Sequence, residues 1–147
     1  MHILFSIARV FLVLTFVVSG AMKLLDIPGT AAQIAPVITI PDALSDPAKR
    51  LQELTGTPIP QLLAISAGVV EVLAALLIAF NIGARAAAMV LVLFTVAATF
   101  YFHAFWNMTG EPMQANMIQA LKNLSIIGGL LIMVVLGSWR PMRSNEV

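Results

Sequence analysis

Cysteine is absent from this chain of 147 residues. Without a thiol the chain forms no disulfide and performs no thiol exchange of its own. Charge is scarce as well: Asp, Glu, Lys and Arg make up 10% of the residues, against about 25% in an ordinary soluble domain. The net charge is +1, and neither a basic run nor an alternation of basic and aromatic residues occurs, so no nucleic-acid partner is expected. Histidine is limited to His2 and His103, which fall near opposite surfaces of a membrane-spanning chain. No haem-ligating histidine pair, nucleotide-binding loop or metal-ligand cluster is present, so electron transfer by this chain alone lacks a carrier and no metal is expected.

What is abundant is apolar: 60% of the residues are hydrophobic. Stretches at about 3–25, 61–80, 86–106 and 118–137 each reach the roughly 17 to 25 residues that cross a bilayer as helix. The expected fold is all-α, an integral membrane antiparallel four-helix bundle in one domain over residues 1–147, with the lipid bilayer as its first partner. The first stretch has a rival reading as a cleavable signal peptide, because the apolar VFLVLTFVV precedes the small residues Ser19, Gly20 and Ala21. A signal peptide carries its positive charge ahead of the apolar core. Here Ile3, Leu4 and Phe5 precede Arg9 and the run extends to Leu25, so a retained span is expected.

The connections differ in kind. Asn81 to Arg85 is short enough to force the second and third spans to be adjacent and antiparallel. The loop 26–60 carries Pro28, Pro36, Pro41, Pro47, Pro58 and Pro60. Within it, Asp46 before Pro47 is a helix start and Gly56 a stop, predicting a short interfacial helix over 47–55, with Leu51 and Leu54 towards the membrane and Lys49, Arg50 and Glu53 towards water. This loop reads as a spacer over the bundle mouth.

Glu71 is the first candidate for function. It sits inside SAGVVEVLAALLIAF, and a charged side chain at the bilayer centre costs about 2.5 to 3.5 kcal/mol on insertion scales unless it faces protein or water. Small residues Ala64, Ala67, Gly68, Ala74 and Ala75 share its face at three-four spacing and let a neighbouring helix come close. On the first span Arg9, Phe16, Gly20 and Lys23 fall within a sector of about 60°. Thr95, Thr99 and His103 repeat every four residues on the third span, and Lys122, Ser125 and Gly129 do nearly so on the fourth. An interior polar site made from Glu71, Arg9, Lys23, His103, Lys122 and Asn123 follows, with Gly20, Gly68, Gly128 and Gly129 as helix-packing positions. Glu71 is expected to pair with Arg9 or Lys23, and such a pair could equally be a device that fixes helix register. Lys122 and Asn123 could instead be a snorkelling and a capping residue.

The ordered set Arg9, Gly20 and Lys23 in KLLD, Gly68 to Glu71, Gly83 to Arg85, His103, Leu121 to Leu124 and Gly128–Gly129 resembles the DoxX family of small four-helix membrane proteins over nearly the whole chain. Two features depart from the family pattern: the first loop is longer, and the tail 138–147 follows Gly137 with Ser-Trp-Arg-Pro in place of a Ser-x-Asp ending. The resemblance implies a multi-pass protein of the bacterial cytoplasmic (inner) membrane. Namesake relatives are linked to a thiosulfate:quinone oxidoreductase, others to membrane complexes of oxidative or thiol stress, and a distant animal branch to receptor assembly; most have no assigned reaction. The resulting expectation is an accessory subunit of a membrane oxidoreductase system, with no bound cofactor other than a quinone near Glu71, and with a redox enzyme or a second copy as partner. A small proton-coupled transporter using Glu71, and an assembly protein with a purely structural polar core, are the alternatives. With both ends inside, Lys and Arg are equally divided between the two membrane faces; the tail arginines Arg140 and Arg143 tilt the expectation to cytoplasmic termini.

Overall fold

In a computed structural model of the chain, residues 2–136 are described, His2 by its backbone alone. The tail 138–147, with Arg140 and Arg143, lies outside the described residues. The elements are α1 (His2–Leu25), α2 (Ile27–Ile34), α3 (Asp42–Thr55), α4 (Ile59–Ala79), α5 (Ala84–Phe102), a single 3-10 turn (Phe105–Asn107) and α6 (Gly110–Leu136). Among the described residues α1, α4, α5 with the 3-10 turn, and α6 are long and apolar enough to cross a membrane. They pack in a row of neighbours, α1 on α4, α4 on α5 and α5 on α6, while α1 and α6 touch only lightly.

The link between α4 and α5 shows why these spans stay together. Asn81 and Gly83 both take positive φ, 62° and 56°, and the Ile82 amide returns to the Leu77 carbonyl at 2.8 Å. This tight turn reverses the chain with no room for a third element between the helices.

The first loop departs from expectation. It holds two helices, α2 and α3, and α3 starts at Asp42 instead of Pro47. Pro47 therefore sits inside the helix, where it removes one backbone donor. That is tolerable because α3 has no buried residue, so the freed carbonyl of the preceding turn can bond water. Gly56 ends α3 at φ 65°, as a left-handed stop should. Leu51 and Leu54 are exposed, consistent with a helix that meets the membrane surface. In α2, the Asp26 carboxylate accepts from the Gly29 amide at 2.9 Å, a side-chain cap that starts the helix right after α1. Ala31 and Ile34 bury α2 against α4.

The two ends of the bundle are packed differently. At the end holding the start of α1, Val13, Ala75, Ile78, Ala88, Leu91, Leu130 and Met133 form a dry cluster. Alanines on α4 and α5 let the backbones approach there. At the other end a half-open cavity lies between α1, α4, α5 and α6.

Candidate functional site

The site begins where α1 crosses α4. A Cβ placed on Gly20 would lie 2.8 Å from the Gly68 carbonyl oxygen and 2.9 Å from Glu71 Cβ, and one on Gly68 would meet the Gly20 carbonyl at 3.0 Å. The two glycines therefore bring the helices into backbone contact. Helical side chains lean towards their own amino termini, so in this antiparallel pair the side chains of Lys23 and Glu71 lean towards each other. Lys23 Nζ donates to both carboxylate oxygens of Glu71 at 3.0 Å and to Ser19 Oγ at 2.6 Å. The Glu71 side chain is 4% exposed and that of Lys23 26%, so the carboxylate is enclosed while the ammonium borders open space. A charge-assisted bond of this geometry satisfies an acid that would otherwise be too costly at such depth.

The open space is a half-open cavity of about 590 Å³. Lys23 and Glu71 stand on one wall, Thr95 and Tyr101 of α5 with His103 just past its end on another, and Gln119 and Asn123 of α6 on a third, while Thr30, Gln33 and Ile34 of α2 roof it. Most of the remaining lining is apolar. Asn123 Nδ2 donates to Thr99 Oγ1 at 2.9 Å, and Thr99 Oγ1 to the Thr95 carbonyl at 2.7 Å. His103 Nδ1 lies 3.0 Å from Asn116 Oδ1, which fixes the ring at the mouth of the cavity.

Glu71, Lys23, His103 and Asn123 are thus gathered around one cavity, and the other predicted positions are not. Arg9 is buried at the far end of α1, where its guanidinium reaches Ser6 Oγ at 3.3 Å and lies 5.4 Å over the Phe5 ring, and its Nε has no partner. It does not pair with Glu71 because Lys23, on the same face of α1, is the residue whose side chain leans to the level of the carboxylate. Lys122 is exposed, since a neighbour rotated by about 100° cannot share the inward face with Asn123. Gly128 likewise lies on the outer face with nothing near its Cβ direction, whereas Gly129 packs on Leu12, 2.8 Å from a placed Cβ. Sequence reasoning overlooked Ser19 and Asn116 as partners. Ser19 was findable, because it lies four residues before Lys23 on the same helix face; Asn116 lies beyond a loop, and no periodicity connects it to His103. No group of three or more His, Cys, Asp or Glu side chains gathers among the described residues, so the donor set is one for hydrogen bonding.

Comparison with known proteins agrees with this architecture. The DoxX family model matches residues 4–104. The chain is 33% identical over 135 residues to inner membrane protein YphA of Escherichia coli (strain K12), an alignment covering 92% of this chain and 84% of that protein. No solved structure matches. The chain belongs to the DoxX family, and its four spans make it an integral membrane protein.

Proposed function

We propose that this protein is a ligand-binding accessory subunit of a membrane oxidoreductase system, in the inner membrane, with a small quinone-like molecule held beside Lys23 and Glu71. The observation that carries the reading is the cavity itself. It lies within the roughly 300 to 1,000 Å³ range of small-molecule sites, its walls are mostly apolar, and a few polar groups converge on it from α1, α4, α5 and α6. The amide of Asn123 has a second N–H beyond the one given to Thr99 and could donate it to a carbonyl oxygen there. Lys23, whose three N–H groups go to Ser19 and Glu71, could do so by exchanging Ser19 for the ligand. The DoxX relationship supports the membrane setting, and the relative's name supports the inner membrane.

An orientation with the start of α1 and the end of α6 in the cytoplasm accompanies this proposal, supported by Arg85 and the tail arginines on that side. The cavity would then face the periplasmic leaflet. A proton path across the membrane draws less support, because the dry cluster from Val13 to Met133 lies between the cavity and the Arg9 end.

The test is purification of the full chain from its native membrane in mild detergent, followed by solvent extraction and mass spectrometry. A quinone close to one per chain is expected, together with a co-purifying redox enzyme. Ala98→Phe, which fills the cavity from α5, should lose the small molecule while the protein still accumulates. Equal quinone in both proteins, or none in either, would refute the reading.

A further inference from the structure

A second cavity of about 770 Å³ runs along the outer side of α1, with Phe11, Leu14, Val18 and Met22 as its apolar floor. These four side chains are exposed and recur at three- and four-residue spacing, which makes one narrow row along the helix. The groove shares Thr15, Ser19, Lys23, Thr30 and Gln33 with the interior cavity. The two spaces therefore meet at the strip of α1 that carries the ion pair. We infer that the interior site is loaded sideways from the bilayer, by a neutral amphiphile with a single hydrocarbon chain whose head lies at Lys23 and Asn123 and whose chain rests in the α1 groove.

Each part of that description follows from the geometry. The groove extends from Phe11 to Asp26, roughly 22 Å at 1.5 Å per residue, so it runs along a large part of the hydrocarbon layer of about 30 Å. A hydrocarbon chain lying along the bilayer normal would match that direction, and one row of apolar side chains would accept one chain. Four spans line the cavity, but α1 and α6 touch only lightly, so the seam between these two walls is the least closed.

The head should be neutral because the site is already balanced: Lys23 is bonded through both oxygens of Glu71, and an added charge there would be without a counterpart. Gln33, Tyr101, Gln119 and Asn123 border the cavity as neutral donors and acceptors. The inference rests on the proposed use of the interior cavity and adds the route and the chain.

The absence of cysteine makes the test clean. Ala98→Cys places a unique thiol in the cavity wall, and Val96→Cys, at an exposed position of α5, provides a control. Each is reconstituted in phospholipid vesicles with and without the groove-filling pair Val18→Trp and Met22→Trp. The probes are N-methylmaleimide and N-dodecylmaleimide, which share one reactive head and differ in the chain. With Cys at position 98, filling the groove should slow the dodecyl reagent at least tenfold and the methyl reagent less than twofold. With Cys at 96 neither rate should change, which also shows that the filled protein is folded. Equal slowing of both reagents, or none of either, overturns sideways loading while leaving the cavity reading intact. Failure of both reagents at 98 in the unfilled protein overturns the inference and the cavity reading together.

Discussion

The two halves of this bundle use the same four spans and solve opposite problems. At the Arg9 end, Ala75, Ile78, Ala88, Leu91 and Leu130 are completely or almost completely enclosed. At the Lys23 end a half-open cavity lies between α1, α4, α5 and α6, with an ion pair on its wall. Lipid offers apolar side chains an environment as favourable as the protein interior, so helices associate through close packing and polar contacts. The closed half uses the first and anchors the fold. The open half forgoes packing and relies on the Gly20–Gly68 crossing and the bond from Lys23 to Glu71 to keep α1 in place. A protein whose only task was to hold four helices together would have little reason to leave one half unfilled.

The sharpest way to break this comparison is to open a void in each half. Leu91→Ala, in the closed half, should lower stability by about 2 to 5 kcal/mol. Leu63→Ala, which borders the space that is already open and does not pack on the closed cluster, should cost less than half of that. Thermal unfolding in mild detergent measures both, and equal losses would mean that the two halves are not packed differently.

Next in size is the ion pair at the boundary. Breaking a buried pair costs about 3 to 5 kcal/mol in soluble proteins; because Lys23 is 26% exposed to the cavity, Glu71→Gln should cost only about 2 to 3 kcal/mol, within reach of that range. The double variant Glu71→Gln with Lys23→Met should recover most of the loss. Combining Glu71→Gln with Arg9→Met should recover none, since Arg9 belongs to the other half. Rescue by the Arg9 variant, read from accumulation in the membrane, would contradict the pairing.

Much of this arrangement was legible in the sequence, and what was not had a geometric cause. Arg9, Phe16, Gly20 and Lys23 were found on one face of α1 by periodicity alone. Periodicity gives an angle and no partner, however, so it left two cations as candidates for Glu71. The choice of Lys23 depends on the level at which α1 and α4 cross, which Gly20 and Gly68 set. Adjacent residues expose the same weakness. Lys122 and Asn123 were taken together, as were Gly128 and Gly129, yet only one of each pair can face inward. The start of α3 at Asp42 was missed because Pro47 was read as a first-turn residue, although an exposed helix accepts proline further in. The roof made by α2 was announced by Asp26 as a cap and Pro28 in the first turn, a signal of the kind read at Asp46 and Pro47, and was overlooked.

The glycines offer a smaller and more selective perturbation. Gly20→Ala places a methyl group 2.8 Å from the Gly68 carbonyl, so α1 must move away from α4, at a cost of about 1 to 2 kcal/mol, the lower part of the range for overpacking. Gly128→Ala meets nothing within 4 Å and should gain about 0.5 to 1 kcal/mol, since alanine stabilises a helix interior relative to glycine. Opposite signs in thermal unfolding are the expected result. A loss at Gly128 equal to that at Gly20 would show that α6 is packed on a face the structure leaves open.

The smallest expected effect separates fold from ligand in the open half. Thr99→Val keeps the shape of the side chain and removes the hydroxyl that Asn123 bonds at 2.9 Å. Hydrogen bonds between membrane helices are worth only about 0.6 kcal/mol on average, so unfolding should change by little more than its error. Asn123 is then released, and its amide can turn towards the cavity or away from it. If the cavity only fills space between helices, this freedom has no further consequence. If a ligand head is held there, a loose Asn123 is a poorer donor, and the small molecule recovered from purified Thr99→Val should fall severalfold while the amount of protein stays the same. Unchanged ligand content with unchanged stability would remove Asn123 from the site and leave Lys23, by exchanging Ser19 for the ligand, as the donor on which the proposal stands.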